Sequence, residues 1–585
     1  MNLKEIKSPQ DIKGMSVAEL EVLAVEMRDA LMRKLSHRGG HVGPNLGMVE
    51  ATIALHYVFD SPKDKLIFDV SHQSYAHKML TGRVNGFVNV RDYDKVSGYT
   101  NPLESEHDHF TIGHTSTAVS LAGGLAVGRD MTGGEGNVIA VVGDGSLSGG
   151  EALEGLDFAA TLKTNLIIVV NDNDMSIAEN HGGLYENLRL LRLTNGEAHS
   201  NIFKAMNLHY MYVGDGNNIR ALIHAFEKVK DIDHPIVVHI NTIKGKGYTF
   251  AETKKEAFHW SPPFNVATGR LADATYRENY SDVFALHMLE RMKRNPAEAV
   301  ITAGTPGVLG FTPERRQVAG SQFIDVGIAE QEAVALASGM AKAGARPCFG
   351  VVSSFIQRAY DQLSQDVAIN NSPMVLNIFH GSIFAMNDVT HLGWFDIPLI
   401  SNIPGWVYLA PTCKEEYLSM LDWAMEQKQY PVAIRVPGGQ LVSANITFPE
   451  DYSDLNKSHI VTEGKDVAVI AVGSFMRIGL DLHAKLEAHG IKCTLINPRF
   501  LSGLDAEMLE GLKRDHRMVV TIEDGVLDGG YGEKVARFYG DSSMKVKCYG
   551  IPKCFRDRYN PALLLREWRL DSRLITEDVI HYMRD

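Results

Sequence analysis

Asp144 and Asn173 have the residue types and the spacing to hold a divalent cation against a diphosphate. Asp144 lies in Val141-Val142-Gly143-Asp144-Gly145, just past one apolar run. Asn173 lies in Asn171-Asp172-Asn173-Asp174-Met175, just past another. Roughly thirty residues separate them, enough for one helical crossover between parallel strands. Both side chains are then expected at the same carboxyl edge of a sheet, where ligands gather in open α/β folds. Mg²⁺ takes six oxygens in near-octahedral geometry and needs few protein carboxylates when phosphates supply the rest. Asp144, the Asn173 side-chain carbonyl and a backbone carbonyl at Met175 are the candidate metal ligands. Gly143 and Gly145 remove side chains where a diphosphate would approach the backbone. A Gly-Asp-Gly turn alone marks only the end of a strand; its pairing with the Asn-rich strand end is what points to a metal and a diphosphate.

Glu330 is the second chemically suggestive position. It stands in Asp325-Val326-Gly327-Ile328-Ala329-Glu330-Gln331, between a strand-like run and a helical pattern of Ala333, Val334, Leu336, Ala337 and Met340. A glutamate at a helix N-terminus is favoured by the helix dipole alone. A buried carboxyl with a raised pKa also shares a proton with a ring nitrogen of a bound coenzyme. Phe355, past a further strand, is placed to stack on such a ring.

These residues need a scaffold of strands and crossover helices. Ser16 and Glu19 have capping-box spacing, and Leu20, Leu23, Met27 and Leu31 follow at helical intervals. Val138 to Val142, Leu166 to Val170 and Pro235 to Ile240 read as strands buried on both faces, with a helix from Gly150 to Leu162 between the first two. A Pro- and Gly-containing stretch near Ser261 to Asp273 reads as a linker. A second block has strands near Phe323 to Val326, Pro347 to Val352 and Met374 to Phe379. A polar connector from Pro449 to Ser458 leads to a third block with strands Val467 to Val472, Cys493 to Ile496 and Met518 to Thr521. The expected fold class is α/β, with three α/β domains and mostly parallel sheets: residues 1–265 for diphosphate and metal, 279–442 for the ring end of the coenzyme, and a smaller domain, 459–585, far from the chemistry.

Composition narrows the class. The 585 residues are 45% hydrophobic and 22% charged, with net charge −13 and pI ≈ 6.0. Without a basic run, nucleic acid is not an expected partner. No apolar run approaches the ~18 residues that span a bilayer, and the first ten residues have no signal core, so neither membrane insertion nor secretion is expected. The cysteines, Cys348, Cys413, Cys493, Cys548 and Cys554, form no Cys-x-x-Cys pair and read as reduced thiols of a cytoplasmic protein.

The pairing of Gly143-Asp144-Gly145 with Asn173 is similar to the thiamine-diphosphate motif. The whole chain resembles the transketolase-like superfamily and, within it, the 1-deoxy-D-xylulose-5-phosphate synthase family. The resemblance runs through Gly39-Gly40-His41, Phe68 to Gln73, His77-Lys78, Gly113-His114-Thr115-Ser116, Lys244 to Tyr248, Asp325 to Gln331, Ser354 to Gln362, Thr390-His391 and Phe395-Asp396. It implies a transketolase-like thiamine-diphosphate-binding fold, thiamine diphosphate and Mg²⁺ as cofactors, and a homodimer. It implies decarboxylation of pyruvate and addition of the two-carbon unit to glyceraldehyde 3-phosphate. By matched position, Glu330, His41, His259 and His391 are implied as catalytic, and His72, Gly113, His114, Thr115, Phe355 and Arg358 join the metal-loop residues around the cofactor.

The chain departs from that family where the acceptor phosphate is held. The family has Asp-Arg-Ala-Gly where this chain has Phe379-His380-Gly381-Ser382, Arg-Tyr-Pro-Arg-Gly where it has Arg435-Val436-Pro437-Gly438-Gly439, and Tyr-Ser-Thr-Phe where it has Val352-Ser353-Ser354-Phe355. The phosphate-facing positions are thus His380, Gly438 and Val352. Each charged hydrogen bond lost is worth roughly 1.5–3 kcal/mol. Asn387 replaces an acidic residue near the acceptor hydroxyl, with Asp388 beside it. The segment between Ile177 and Asn218 is also shorter than is usual in the family. A pyruvate-dependent carboligase with an aldehyde acceptor is the leading expectation. Ketol transfer between sugars, acyl transfer to a lipoyl partner and a non-catalytic cofactor-binding homologue are the alternatives.

Overall fold

Each run read as a strand is a strand in the computed structural model, which describes residues 2–444 and 446–584. The strands fall into three sheets. The first comprises β1 (Lys65–Phe68), β2 (Val138–Gly143), β3 (Leu166–Asp172), β4 (His209–Val213) and β5 (Pro235–Asn241), in the order β1-β2-β3-β5-β4 and parallel throughout. The second comprises β6 (Glu298–Thr302), β7 (Phe323–Asp325), β8 (Arg346–Val352), β9 (Val375–Phe379), β10 (Val407–Leu409) and β11 (Val432–Arg435), ordered β10-β11-β9-β8-β6-β7 and also parallel. The third comprises β12 (His459–Thr462), β13 (Asp466–Ala471), β14 (Cys493–Asn497), β15 (His516–Val526) and β16 (Lys545–Ile551), ordered β12-β14-β13-β15-β16, with only β12 antiparallel.

The side-chain alternation explains why the central strands read as unbroken apolar runs. Ile139, Val141, Ile167 and Val169 face one core of the first sheet, while Val138, Ala140, Val142, Ile168 and Val170 face the other. Strands absent from the sequence reading are mostly short or at edges: β10 has three residues, and all four residues of β12 are exposed. The first helix, Val17–Arg38, forms with the expected Ser16–Glu19 capping box.

The chain divides into two units, Met1–Tyr276 with Gly327–Ala329, and Arg277–Val326 with Glu330–Asp585. The second and third sheets share the second unit and one core, in which Ile301, Phe349 and Leu376 pack in a cluster with Ala468, Ile470 and Ile496. Among the described residues, no helix is long and apolar enough to cross a membrane.

Candidate active site

In the first unit, β2 and β3 pair in parallel with Gly143 opposite Asn171, so Asp144 and Asn173 leave the same edge of neighbouring strands. Asp144 is 2% exposed. Its Oδ2 accepts from the Met175 backbone N–H at 3.1 Å and from Asn180 Nδ2 at 2.8 Å. Burial, and then the field of Asp172, push its carboxyl well above the ordinary range. Two amide oxygens, Asn173 Oδ1 and Asn180 Oδ1, are buried with no hydrogen-bond partner among the described residues, as is Ser176 Oγ. A cation would relieve both conditions: it would hold Asp144 ionised and satisfy the amide oxygens. Among the described residues no group of three or more His, Cys, Asp or Glu side chains could hold a metal ion. A site of one carboxylate and amide oxygens instead suits Mg²⁺ when phosphate oxygens complete the shell.

The two glycines of the turn differ. A Cβ on Gly143 would meet nothing within 4 Å, so the strand end is open to a ligand. A Cβ on Gly145 would lie 2.7 Å from Ser176 Oγ, so that glycine lets the Asn173–Ser176 loop pack down. The Gly113-His114-Thr115 loop docks beside the same turn. Ser116 Oγ donates to Ser146 O at 2.8 Å, and the buried Asp69 accepts from the backbone N–H groups of Ser116, Thr117 and Ala118 at the start of the helix Ala118–Met131.

Three of the histidines gather. The ring centroids of His41 and His72 are 4.9 Å apart, those of His41 and His259 5.7 Å, and those of His72 and His259 5.2 Å. The chain brings them together by specific local devices. Gly39 and Gly40 have left-handed φ values of 78° and 131°, and Gly40 and Ser261 exchange two backbone hydrogen bonds of 2.9 Å, two residues from His259. Asn45 Nδ2 donates to the carbonyls of both His41 (2.8 Å) and His72 (2.7 Å). The turn before His72 holds Val70 and Ser71 at φ 57° and 62°, a costly conformation for a β-branched residue. Lys244 Nζ lies 3.0 Å from His259 Nδ1 and also donates to Ser176 O. Burial, then the charge of Lys244, keep His259 neutral, well below the usual imidazole range.

In the second unit, Glu330 opens the helix Glu330–Lys342 and is 3% exposed. Its Oε2 has no hydrogen-bond partner among the described residues, with Arg358 Nη1 3.6 Å away. Burial raises its pKa, against the opposing pull of Arg358. A buried carboxyl with one unsatisfied oxygen fits a ring nitrogen as its partner. Phe355, past β8, meets His391 edge to face at 5.4 Å between centroids. His391 Nδ1 lies 2.9 Å from Asp388 Oδ1, which also accepts from Thr390 Oγ1 at 2.5 Å. Burial would raise the Asp388 carboxyl, but the hydrogen bond from His391 holds it below the ordinary range.

Across the whole chain the comparisons are decisive. A relative from Symbiobacterium thermophilum named 1-deoxy-D-xylulose-5-phosphate synthase is 38% identical, over 97% of this chain and 93% of its own. This chain belongs to the 1-deoxy-D-xylulose-5-phosphate synthase family. Synthases of the same name from Pelotomaculum thermopropionicum (36% identical, 99% and 96% covered) and Clostridium acetobutylicum (37%, 99% and 99%) are similar to it too. The family model for 1-deoxy-D-xylulose-5-phosphate synthase matches residues 3–199 and 192–242. The models for the transketolase pyrimidine binding domain and C-terminal domain match 278–442 and 456–575. Enzymes of this synthase family are transferases of the transketolase type that use thiamine diphosphate with a divalent metal ion, and the two half-sites above fit that pair.

Relative to the synthase family pattern, several positions escaped the sequence reading. Asn180 and Asn45 sit in no recognisable spacing, and Lys244 lies in a Lys-Gly-Lys-Gly run whose local pattern does not foretell its contact with His259. The C-terminal segment reaches the 387–391 loop. Asp557 Oδ1 accepts from the Val389 N–H at 3.1 Å and the Tyr559 carbonyl accepts from Asn387 Nδ2 at 3.0 Å, so this domain grips the loop that carries His391. Asn387 therefore holds backbone, and the acidic residue beside His391 is Asp388.

Proposed function

We propose that the protein condenses pyruvate with an aldehyde, releasing CO₂. The C1–C2 bond of pyruvate breaks, C2 bonds to the aldehyde carbon, and the aldehyde oxygen takes up a proton to give a hydroxyketone. The observation that carries this reading is the buried Glu330 carboxyl, its pKa raised by burial and one oxygen without a hydrogen-bond partner among the described residues, in a chain otherwise aligned end to end with synthases. Bound thiamine diphosphate supplies the electron sink that lets a carbonyl carbon act as a nucleophile.

The chain's own residues would do the rest. Asp144, Asn173 and the Met175 carbonyl would hold Mg²⁺, with Asn180 orienting Asp144. Gly143, Gly145 and the Gly113-His114-Thr115 loop would border the diphosphate, and His72 the thiamine. Glu330 would share its proton with the pyrimidine ring, Phe355 would stack on that ring, and Arg358 would tune Glu330. His41 and the neutral His259 offer hydrogen bonds to the substrate carboxylate and carbonyl. Asp388 would accept a hydrogen bond from the Nδ1–H of His391, leaving Nε2 to move a proton at the acceptor oxygen.

Small molecules are then the partners, the five free thiols, three of them buried, suit a reducing, cytoplasmic compartment, and the family resemblance implies a homodimer. Light scattering tests the oligomer. The activity is tested by CO₂ release from pyruvate with thiamine diphosphate, Mg²⁺ and either glyceraldehyde 3-phosphate or glyceraldehyde. Pyruvate-dependent CO₂ release that requires an aldehyde supports the reading; no release with any aldehyde removes it. Ketose cleavage without CO₂ would favour ketol transfer instead.

A further inference from the structure

In the second unit a cavity of ≈ 400 Å³ opens at the carboxyl edge of the sheet, with His380, Gly438, Gly439, Ser281 and Asp282 in its wall. No lysine or arginine lines it. Its carboxylate is already engaged, since Asp282 accepts from Arg315 Nη1 at 2.6 Å and from Asn279 Nδ2 at 2.8 Å. Each of its hydroxyls already has one protein partner. Ser281 Oγ donates to Val308 O at 2.6 Å, Thr312 Oγ1 accepts from Arg315 N at 3.4 Å, and Tyr280 Oη accepts from Val442 N at 3.3 Å. The imidazole of His380, by contrast, makes no hydrogen bond among the described residues.

The backbone beneath that imidazole is held in a rarely used state. His380 has a left-handed φ of 59°. Ser382 N–H donates to its carbonyl at 3.1 Å, and a Cβ on Gly393 would lie only 1.8 Å from the same carbonyl oxygen. A non-glycine residue kept left-handed, with room made for it by a glycine from another segment, is the pattern of a functional side chain. Gly393, which packs on the His380 carbonyl, is two residues from His391 and so joins this wall to that half-site residue; burial, then His391, lower the His380 pKa.

The wall at Gly438 leaves no room for a cationic side chain there. A Cβ on Gly438 would lie 2.1 Å from the Cβ of Ser382 and 2.6 Å from its Oγ, and Ser382 is wholly buried. No side chain fits at position 438 while Ser382 remains.

Resting on the carboligase reading, we propose that this cavity receives the far end of the aldehyde acceptor and is built for an uncharged, hydroxyl-bearing chain: His380 is its hydrogen-bonding partner, and the Ser382–Gly438 contact keeps out a phosphate-binding cation.

The test uses full-length protein loaded with thiamine diphosphate and Mg²⁺. Initial rates are measured with pyruvate and either glyceraldehyde or glyceraldehyde 3-phosphate, and saturation-transfer NMR compares erythritol with glycerol 3-phosphate. The expected kcat/KM for glyceraldehyde exceeds that for the phosphate ester by about tenfold or more, the scale of one desolvated charge or hydrogen bond. His380→Ala raises the aldehyde KM about tenfold and moves the pyruvate KM less than about twofold, with His380→Asn intermediate. Gly438→Arg alone gains no use of the phosphate ester, whereas Ser382→Gly with Gly438→Arg gains about tenfold. A preference for glyceraldehyde 3-phosphate, or an unchanged aldehyde KM in His380→Ala, overturns the proposal. If no aldehyde supports CO₂ release, the carboligase reading falls and the NMR arm decides this one. Erythritol saturation that disappears in His380→Ala sustains the uncharged site; stronger saturation of glycerol 3-phosphate overturns it.

Discussion

Arg192 closes on both oxygens of Asp172, at 2.7 and 2.8 Å, from the helix Gly183–Leu193 in the connection between β3 and β4. His239 Nε2 lies 2.9 Å from the same carboxylate, and Tyr210 Oη lies 2.8 Å from His239 Nδ1. A second arm of Arg192 reaches Asp174 at 2.6 Å. The loop that presents Asn173 and Met175 is thus clamped on both sides of Asn173 by one guanidinium, and the 177–218 segment supplies it. Arg192→Met is expected to weaken Mg²⁺ binding by about 10–100-fold in the presence of thiamine diphosphate, the usual effect of removing a group that orients a ligand. Titration calorimetry checks this, and an unchanged affinity would deny Arg192 that positioning task.

Glu330→Ala is expected to lower kcat by about 10²–10⁴-fold, the usual contribution of a positioned proton-transfer group. Thiamine diphosphate should still bind within about tenfold of the parent affinity, because the diphosphate and metal end is untouched. Equilibrium dialysis beside steady-state rates separates the two quantities. Turnover that survives the substitution would rule out the proton-sharing role.

Glu523 offers a stability test away from the proposed chemistry. It is fully buried in β15, accepts from the N–H groups of Tyr531 (2.9 Å) and Gly532 (2.8 Å), and burial pushes its pKa up to about 7. A carboxyl whose folded pKa exceeds its unfolded value binds more protons folded than unfolded. Stability is therefore greatest below the ordinary value of 4.5 and falls as pH rises from there to about 7. The fall amounts to about 3 kcal/mol. Glu523→Gln should flatten this part of the pH profile in thermal melts from pH 4.5 to 8. An unchanged slope would mean that Glu523 is ionised throughout.

Arg435 is a buried cation shared by two buried carboxylates. Its Nε donates to Asp396 Oδ2 at 2.6 Å, its Nη1 donates to Asp524, and all three side chains are at most 3% exposed. The cluster joins the second sheet to the third. Arg435→Met leaves two buried charges unpaired and should cost about 3–5 kcal/mol. Calorimetric melting checks it; a loss under about 1 kcal/mol would mean the carboxylates neutralise by protonation.

What the sequence made legible followed from local rules. β2 and β3 announced themselves because a parallel strand buried on both faces must be apolar at every position, and Asp144 and Asn173 stood out because they end those runs. Glu330 was legible as a helix start after a strand. The histidines were less so: His41, His72 and His259 come from three separate stretches and were singled out only through the family resemblance. Asn45 gives no local signal because its two acceptors are backbone carbonyls. His380 was visible as a departure, but its left-handed backbone depends on Gly393, which no pattern near residue 380 foretells. β12 stayed hidden because an exposed strand has no reason to be apolar.

The hold of Tyr559 and Asp557 on the 387–391 loop bears on how such a chain can be divided or recombined. A gene fragment ending near residue 450 would still encode Glu330, Phe355 and His391, yet the loop of His391 would have lost two of its anchors. Shuffling this C-terminal segment for that of a distant cousin would therefore disturb more than a spectator module. A version split between 442 and 459 would have to re-form the Asn387–Tyr559 and Val389–Asp557 bonds before its histidine stood in place.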